Sequence, residues 1–254
     1  MTVALSSVMG YLGDFAWNFL RLGGFFMAVP IFGNRLVSRR IRVAIVFAVA
    51  LALTPVLPIG IDLSAIAAEH LAELGVQILM SAGLGFAAAI FFQLFVIAGQ
   101  FIGMQMGLGF AAMVDPGNGV QVTVWSQFFL MLVTLSFLAV NGHLLLLEIL
   151  VKGYQLSTFG FGATLPEMGL GIARLGGWMF IGGVLLAVPA VASLLIVNLA
   201  FGVMNRSAPQ LNVFALGFPF SLIFGLVIIW FLLSGWTDQF HRLLGDFLDT
   251  VVGG

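Results

Sequence analysis

Residues 175–205 read LGGWMFIGGVLLAVPAVASLLIVNLAFGVMN, 31 residues without one charged side chain. As a helix this run reaches about 46 Å, and roughly 20 apolar residues are enough to cross the ~30 Å hydrocarbon core of a bilayer. Further charge-free runs cover 43–61, 74–114, 116–147 and 207–237. Only 7% of the 254 residues are charged, against about 25% in an ordinary soluble domain. With a mean hydropathy of +1.18, most of the surface must be solvated by hydrocarbon or by partner protein. An all-α integral membrane protein is the expected fold class.

Trimming the runs at Gly, Pro and Asn predicts about six long apolar helices, near 9–32, 40–57, 74–98, 124–147, 175–202 and 213–236, arranged as kinked hairpins. The connections are an Arg-rich turn (Asn34 to Arg42), an acidic stretch (Gly60 to Glu73), a Gly-rich loop (Gly103 to Val122), a more polar segment (Lys152 to Arg174) and the turn Asn205 to Gln210. Pro209 disfavours helix at Ala208 in that last turn. Arg35, Arg39, Arg40, Arg42 and Arg206, five of the nine basic residues, fall in two loops on one side of the six-helix scheme, which makes that side cytoplasmic and both termini extracytoplasmic. After Thr237, Phe240, Leu243, Leu244, Phe247, Leu248 and Val251 share one helical face. This amphipathic tail either lies at the membrane interface or packs on the bundle. The N-terminus lacks a basic n-region and is expected to remain on the mature protein.

The chemistry-bearing motifs of enzymes are missing. There is no HExxH, GxSxG, P-loop lysine motif or glycine fingerprint on a strand-helix unit. His70, His143 and His241 are scattered, and there is no cysteine, so no metal, cofactor or thiol chemistry is expected. A net charge of −1 offers no field for nucleic acid.

The most unusual stretch is 99–119, GQFIGMQMGLGFAAMVDPGNG. Gly99, Gly103 and Gly107 recur every four residues, which on a helix makes one smooth stripe for close approach. Gly109, Pro116, Gly117 and Gly119 then break the helix, and backbone freed in this way must be buried in protein or line a cavity. Met104, Met106, Phe110 and Met113 accompany them, and methionine is a deformable filler. A packed core and a compressible gate fit this composition equally well. Asp14 and Arg21, two helical turns apart in the first apolar segment, could face the bundle or a partner subunit, because charges at membrane depth are expensive.

Longer motifs carry a resemblance. Arg21, Pro30-Ile-Phe-Gly33, Arg39-Arg40-Ile-Arg42, the run GMQMGLGFAAMVDP over 103–116 and the run NRSAPQLNVFALGFP over 205–219 are similar, nearly end to end, to the FliR family of flagellar and virulence type III secretion export-apparatus proteins. The resemblance implies a subunit of the export gate, a closed channel for unfolded proteins formed with FliP-like and FliQ-like subunits. It implies a FliP-like part over 1–170, with a plug loop at 103–121, followed by a FliQ-like helical hairpin over 171–254. In that scheme Gly103, Met104, Met106, Gly107, Gly109, Phe110, Met113, Asp115 and Pro116 belong to the pore plug. Asn205, Arg206, Pro209 and Gln210 form a cytoplasmic turn that meets a FlhB-like protein, and Asp14 and Arg21 are candidates for intersubunit charge contacts. The implied location is the bacterial inner membrane, with the assembled complex partly raised out of the lipid, and no cofactor. The rival reading, a small-molecule permease, predicts two symmetric halves, which the sequence does not display.

Overall fold

A computed structural model describes residues 2–33, 37–59, 68–108, 123–156, 164–207 and 213–252. Among them the regular elements are all helical: α1 (Thr2–Ala28), α2 (Pro30–Gly33), α3 (Arg39–Leu53), α4 (Ala68–Gln105), α5 (Val124–Ala139), α6 (Gly142–Leu156), α7 (Leu165–Ser207), α8 (Val213–Ser234) and α9 (Trp236–Val252). The all-α membrane fold expected from composition is the one observed.

Among the described residues, fewer helices have the length and apolarity of a membrane span than the six long apolar helices expected. Three helices are long and apolar enough to cross a bilayer: α4, α7 over Leu165–Met204 and α8 over Gly217–Ser234. The sharply bent pair α5 and α6 adds a fourth if counted as one span. α3 has 15 residues and reaches only about 22 Å. α1 has the length, but Asp14, Asn18 and Arg21 dilute its apolar character.

Local chemistry explains the boundaries. Ser38 caps α3, its hydroxyl accepting from the Ile41 amide at 3.4 Å, and Pro55 follows soon after the last turn. α7 starts ten residues before the expected Leu175 because Thr164 and Glu167 form a capping box. Thr164 Oγ1 accepts from the Glu167 amide at 3.4 Å, and Glu167 Oε2 accepts from the Thr164 amide at 3.1 Å. The helix expected over 124–147 breaks instead, because Asn141 sits at φ +57°, a left-handed conformation that a helix cannot propagate.

By backbone proximity the described chain falls into two units built from non-adjacent segments. The first comprises residues 1–90, 141–175 and 248–254. In it Phe47 of α3 packs edge-on to Phe15 and Phe19 of α1, with ring centroids 5.1 and 6.5 Å apart. α1 and α4 approach backbone to backbone, since a Cβ on Gly24 would lie 2.6 Å from the Ile78 carbonyl oxygen and one on Gly85 2.7 Å from that of Phe25.

The second unit comprises residues 91–140 and 176–247. Its core is aromatic: Phe91 meets Phe95 and Phe247 at 5.5 and 5.1 Å, Phe92 meets Phe137 at 5.2 Å, and Trp236 meets Phe95 and Phe129 at 5.3 and 5.9 Å. Trp236 Nε1 donates to Ser136 Oγ at 2.9 Å, which satisfies the polar end of the indole. The tail helix α9 packs into this core through Phe240, Leu244 and Phe247 while Asp238, His241, Arg242 and Asp246 face outward. Of the two placements open from sequence, packing on the bundle is the one adopted. The most apolar window of α4 is 72% buried, whereas those of α7 and α8 are 28% and 22% buried. α4 is thus an interior helix, and α7 and α8 present apolar side chains such as Ile196, Leu199, Trp230 and Phe231 outward.

Candidate functional site

The expected plug stretch begins inside the second unit, at the C-terminal end of α4. The glycine stripe is real at two of its three positions. A Cβ on Gly99 would fall 2.6 Å from the Trp125 carbonyl oxygen, and one on Gly103 would fall 2.6 Å from Thr123 Oγ1, so both residues let α4 meet the start of α5 without a side chain between them. Gly107 does a different job. It sits at φ +86°, its amide donates to the Met104 carbonyl at 3.0 Å, and the Leu108 amide donates to the Gly103 carbonyl at 3.0 Å. This paired pattern is a Schellman cap with Gly107 at the left-handed position, and it ends α4 there.

At the other end of the loop, Thr123 starts α5. Its hydroxyl accepts from the Ser126 amide at 3.3 Å and donates to the Gly99 carbonyl at 3.2 Å, and its own amide donates to Gln100 Oε1 at 2.9 Å. Ser126 Oγ donates to the same Gln100 oxygen at 3.0 Å. Residues 99–108 and 123–126 therefore form one root: the chain leaves α4 through a rigid cap and returns onto the same turns of α4 through a buried hydrogen-bonded clasp.

Met106 and Met104 separate into different roles. Met106 is 1% exposed, its thioether lying where a Cβ on Gly225 of α8 would stand, whereas Met104 is 57% exposed. Met106 is thus an anchor and Met104 is available to a neighbour. Gly109, Phe110, Met113, Asp115 and Pro116 lie outside the described residues. At the far end of α7, Asn205 and Arg206 belong to its last turn and Arg206 is exposed, while Pro209 and Gln210 lie outside the described residues.

Asp14 and Arg21 belong to the first unit. Arg21 is 3% exposed; its guanidinium bonds to neutral groups of the same chain, and the Asp14 carboxylate attracts it from nearby. The guanidinium donates to Asn18 Oδ1, donates to Gln77 Oε1 at 3.4 Å and lies 3.8 Å over the Tyr154 ring. Trp17 Nε1 donates to the same Gln77 oxygen at 3.0 Å, Asn18 Nδ2 donates to the Leu57 carbonyl at 3.2 Å, and Ser81 Oγ shares a hydrogen bond with Tyr154 OH at 2.7 Å. Stacking on Tyr154 suits a planar, weakly hydrated guanidinium. Asp14 is half-buried and its Oδ1 accepts from the Ile59 amide at 3.2 Å. Arg21 is thereby engaged within the chain, joining α1, α4 and α6.

Sequence reading singled out none of Gln77, Tyr154, Gln100, Thr123, Ser126 or Gly225. Thr123 alone carried a local signal, a cap-forming hydroxyl residue directly before an apolar run. The others act across long sequence separations, where spacing gives no cue.

Comparison with known proteins adds identity to this geometry. Residues 12–247 match the family model described as bacterial export proteins, family 1. The flagellar biosynthetic protein FliR of Pectobacterium carotovorum subsp. carotovorum is 33% identical over 227 residues, covering 89% of this chain and 86% of the relative. FliR of Escherichia coli K12 is 34% identical over 221 residues (87% and 84%), and FliR of Bacillus subtilis 168 is 30% identical over 233 residues (89% and 88%). A match across nearly the whole chain, on an all-helical scaffold with long apolar helices, shows that the chain belongs to family 1 of the bacterial export proteins, the flagellar FliR family.

Proposed function

We propose that this export-apparatus component forms, with FliP-like and FliQ-like subunits of the bacterial inner membrane, the closed channel through which unfolded flagellar proteins leave the cell, and that residues 103–121 are its share of the plug. The observation that carries this reading is the double-ended root of the loop. A segment that must stay in a pore against a membrane potential and still yield to a passing chain needs fixed ends and a compliant middle. Here the ends are fixed by the Gly107 cap and the Thr123 clasp, and the middle carries Gly109, Gly117 and Gly119 with one Phe (Phe110) and one Met (Met113). The outward apolar faces of α7 and α8 supply surface for partner subunits and lipid. The flagellar character of the relatives favours a flagellar over a virulence system.

The positive charge of the turn after Arg206 favours the cytoplasmic side for that turn, where a FlhB-like partner would meet it. Isolation from membranes tests the assembly: FliP-like and FliQ-like subunits should co-purify with the chain, and photo-crosslinkers at 205–210 should trap a cytoplasmic-side protein. Recovery of the chain alone, with crosslinks only to extracytoplasmic proteins, would reject this arrangement.

A further inference from the structure

The loop root is gripped from a third direction that neither its own sequence nor its cap requires. Gln105 is the last residue of α4, so its carbonyl has no intrahelical donor. Asn198 Nδ2 of α7 donates to that carbonyl at 3.4 Å. Ser221 Oγ of α8, itself 5% exposed, donates to Asn198 Oδ1 at 2.9 Å. Since a carbonyl can only accept, the Ser221 contact orients the Asn198 amide so that its NH2 group points at the helix end. One turn further along α8 from Ser221, Gly225 makes room for the Met106 side chain, and one turn back, Phe218 lies 3.1 Å from where a Cβ on Gly107 would be. Phe218, Ser221 and Gly225 share one helical face; Phe218 meets Gly107, Gly225 meets Met106, and Ser221 reaches the Gln105 carbonyl through Asn198. Beside this, the tilted rings of Phe201 and Phe220 meet at 5.4 Å, holding α7 and α8 to each other next to the Asn198–Ser221 pair.

We infer that Asn198 and Ser221 are positioning residues of the gate: together with the Met106–Gly225 socket they make the α7–α8 hairpin a latch on the loop root, so that displacing the hairpin frees the end of α4 and loosens the plug. The inference rests on the gate reading above. The hairpin is suited to such a task because the apolar windows of α7 and α8 are far less buried than that of α4, and it turns after Arg206, the segment exposed to cytoplasmic partners in the proposed topology. Force or binding at that turn would reach the loop through side chains already in contact, with no motion of the aromatic core required.

Two measurements on the assembled channel test it. The chain has no native cysteine, so Met106→Cys with Gly225→Cys introduces one adjacent pair. Oxidation should arrest export, and reduction should restore it; undiminished export with the crosslink complete overturns the latch. Asn198→Leu should raise resting ion leak roughly fivefold, the factor for one net hydrogen bond, and Ser221→Ala by less, with partner subunits still co-purifying. The leak of Asn198→Leu should vanish into the larger leak of a channel lacking residues 109–122, because both act through the same plug. Leak that adds to that of the deletion, or an Asn198→Leu channel as tight as the parent, refutes the latch and leaves the gate reading intact. A deletion channel that does not leak refutes the gate reading itself.

Discussion

Thr123 occupies the space that a side chain on Gly103 would need: a Cβ there would stand 2.6 Å from Thr123 Oγ1 and 2.7 Å from Thr123 Cβ. Thr123 is held by Gln100 and Gly99 and cannot retreat. Gly103→Ala is expected to cost about 1–3 kcal/mol, the usual range for overpacking a close contact. Gly99→Ala should be worse, since its Cβ meets the Trp125 carbonyl and the Ser126 backbone. Gly202→Ala, with open space around it, should be neutral or stabilising. Thermal unfolding of the isolated chain in detergent, followed by tryptophan fluorescence, checks the order.

Arg21 is a buried cation whose hydrogen-bond acceptors, Asn18 and Gln77, are neutral, with the Asp14 carboxylate near enough to favour its charge. Arg21→Ala removes a donor from Asn18 and Gln77 and leaves a void against Tyr154, with an expected loss of about 3–5 kcal/mol. Arg21→Lys should recover little, because an ammonium does not stack flat on a ring and lacks the planar, pre-organised fork of the guanidinium. Tyr154→Phe keeps the ring and loses the hydrogen bond with Ser81, about 1 kcal/mol. Steady-state abundance in membranes and melting of the purified chain should rank the three accordingly; a lysine variant as stable as the parent would contradict the stacking account.

Asn141 breaks the helix expected over 124–147. Asn141→Gly should be tolerated at φ +57°, while Asn141→Val, β-branched and strained there, should cost about 1–2 kcal/mol. Protease susceptibility at 139–142 is the readout, and equal behaviour of the two variants would argue against a left-handed break.

The tail helix is held by its apolar face. Phe247→Ala should cost about 3–5 kcal/mol, because that ring is fully buried against Phe91. Asp249→Asn and His241→Gln on the outer face should stay within about 0.5 kcal/mol. Chemical denaturation in detergent separates the two classes.

The helical membrane fold was legible from charge-free length alone, and the Gly99 and Gly103 stripe from its four-residue spacing. Gly107 fits the same spacing yet caps the helix, because the next residues cannot continue it; the distinction lies in backbone dihedrals that spacing does not encode. The Asn141–Gly142 dipeptide was a visible breaker, overridden in the reading by the apolar run around it. The Thr164–Glu167 capping box, also local, explains the early start of α7. Arg21 stood out as a charge in an apolar segment, but its distant partner Gln77 and the Asn198–Ser221 pair had no local signature, since they join helices separated by 23 to 93 positions. Uncharged runs mark apolar helices but do not by themselves make each one a span: α1 carries Asp14, Asn18 and Arg21, and α3 has 15 residues.

The most direct test of the gate is ion conductance of the assembled complex in planar bilayers. Because Met106 and Gly107 belong to the anchor, residues 109–122 should be replaced by a short Gly-Ser bridge that leaves Leu108 and Thr123 in place. The account predicts a tight parent channel and a deletion channel that conducts ions steadily with its subunits still associated; a deletion complex that assembles normally and remains as tight as the parent would contradict it.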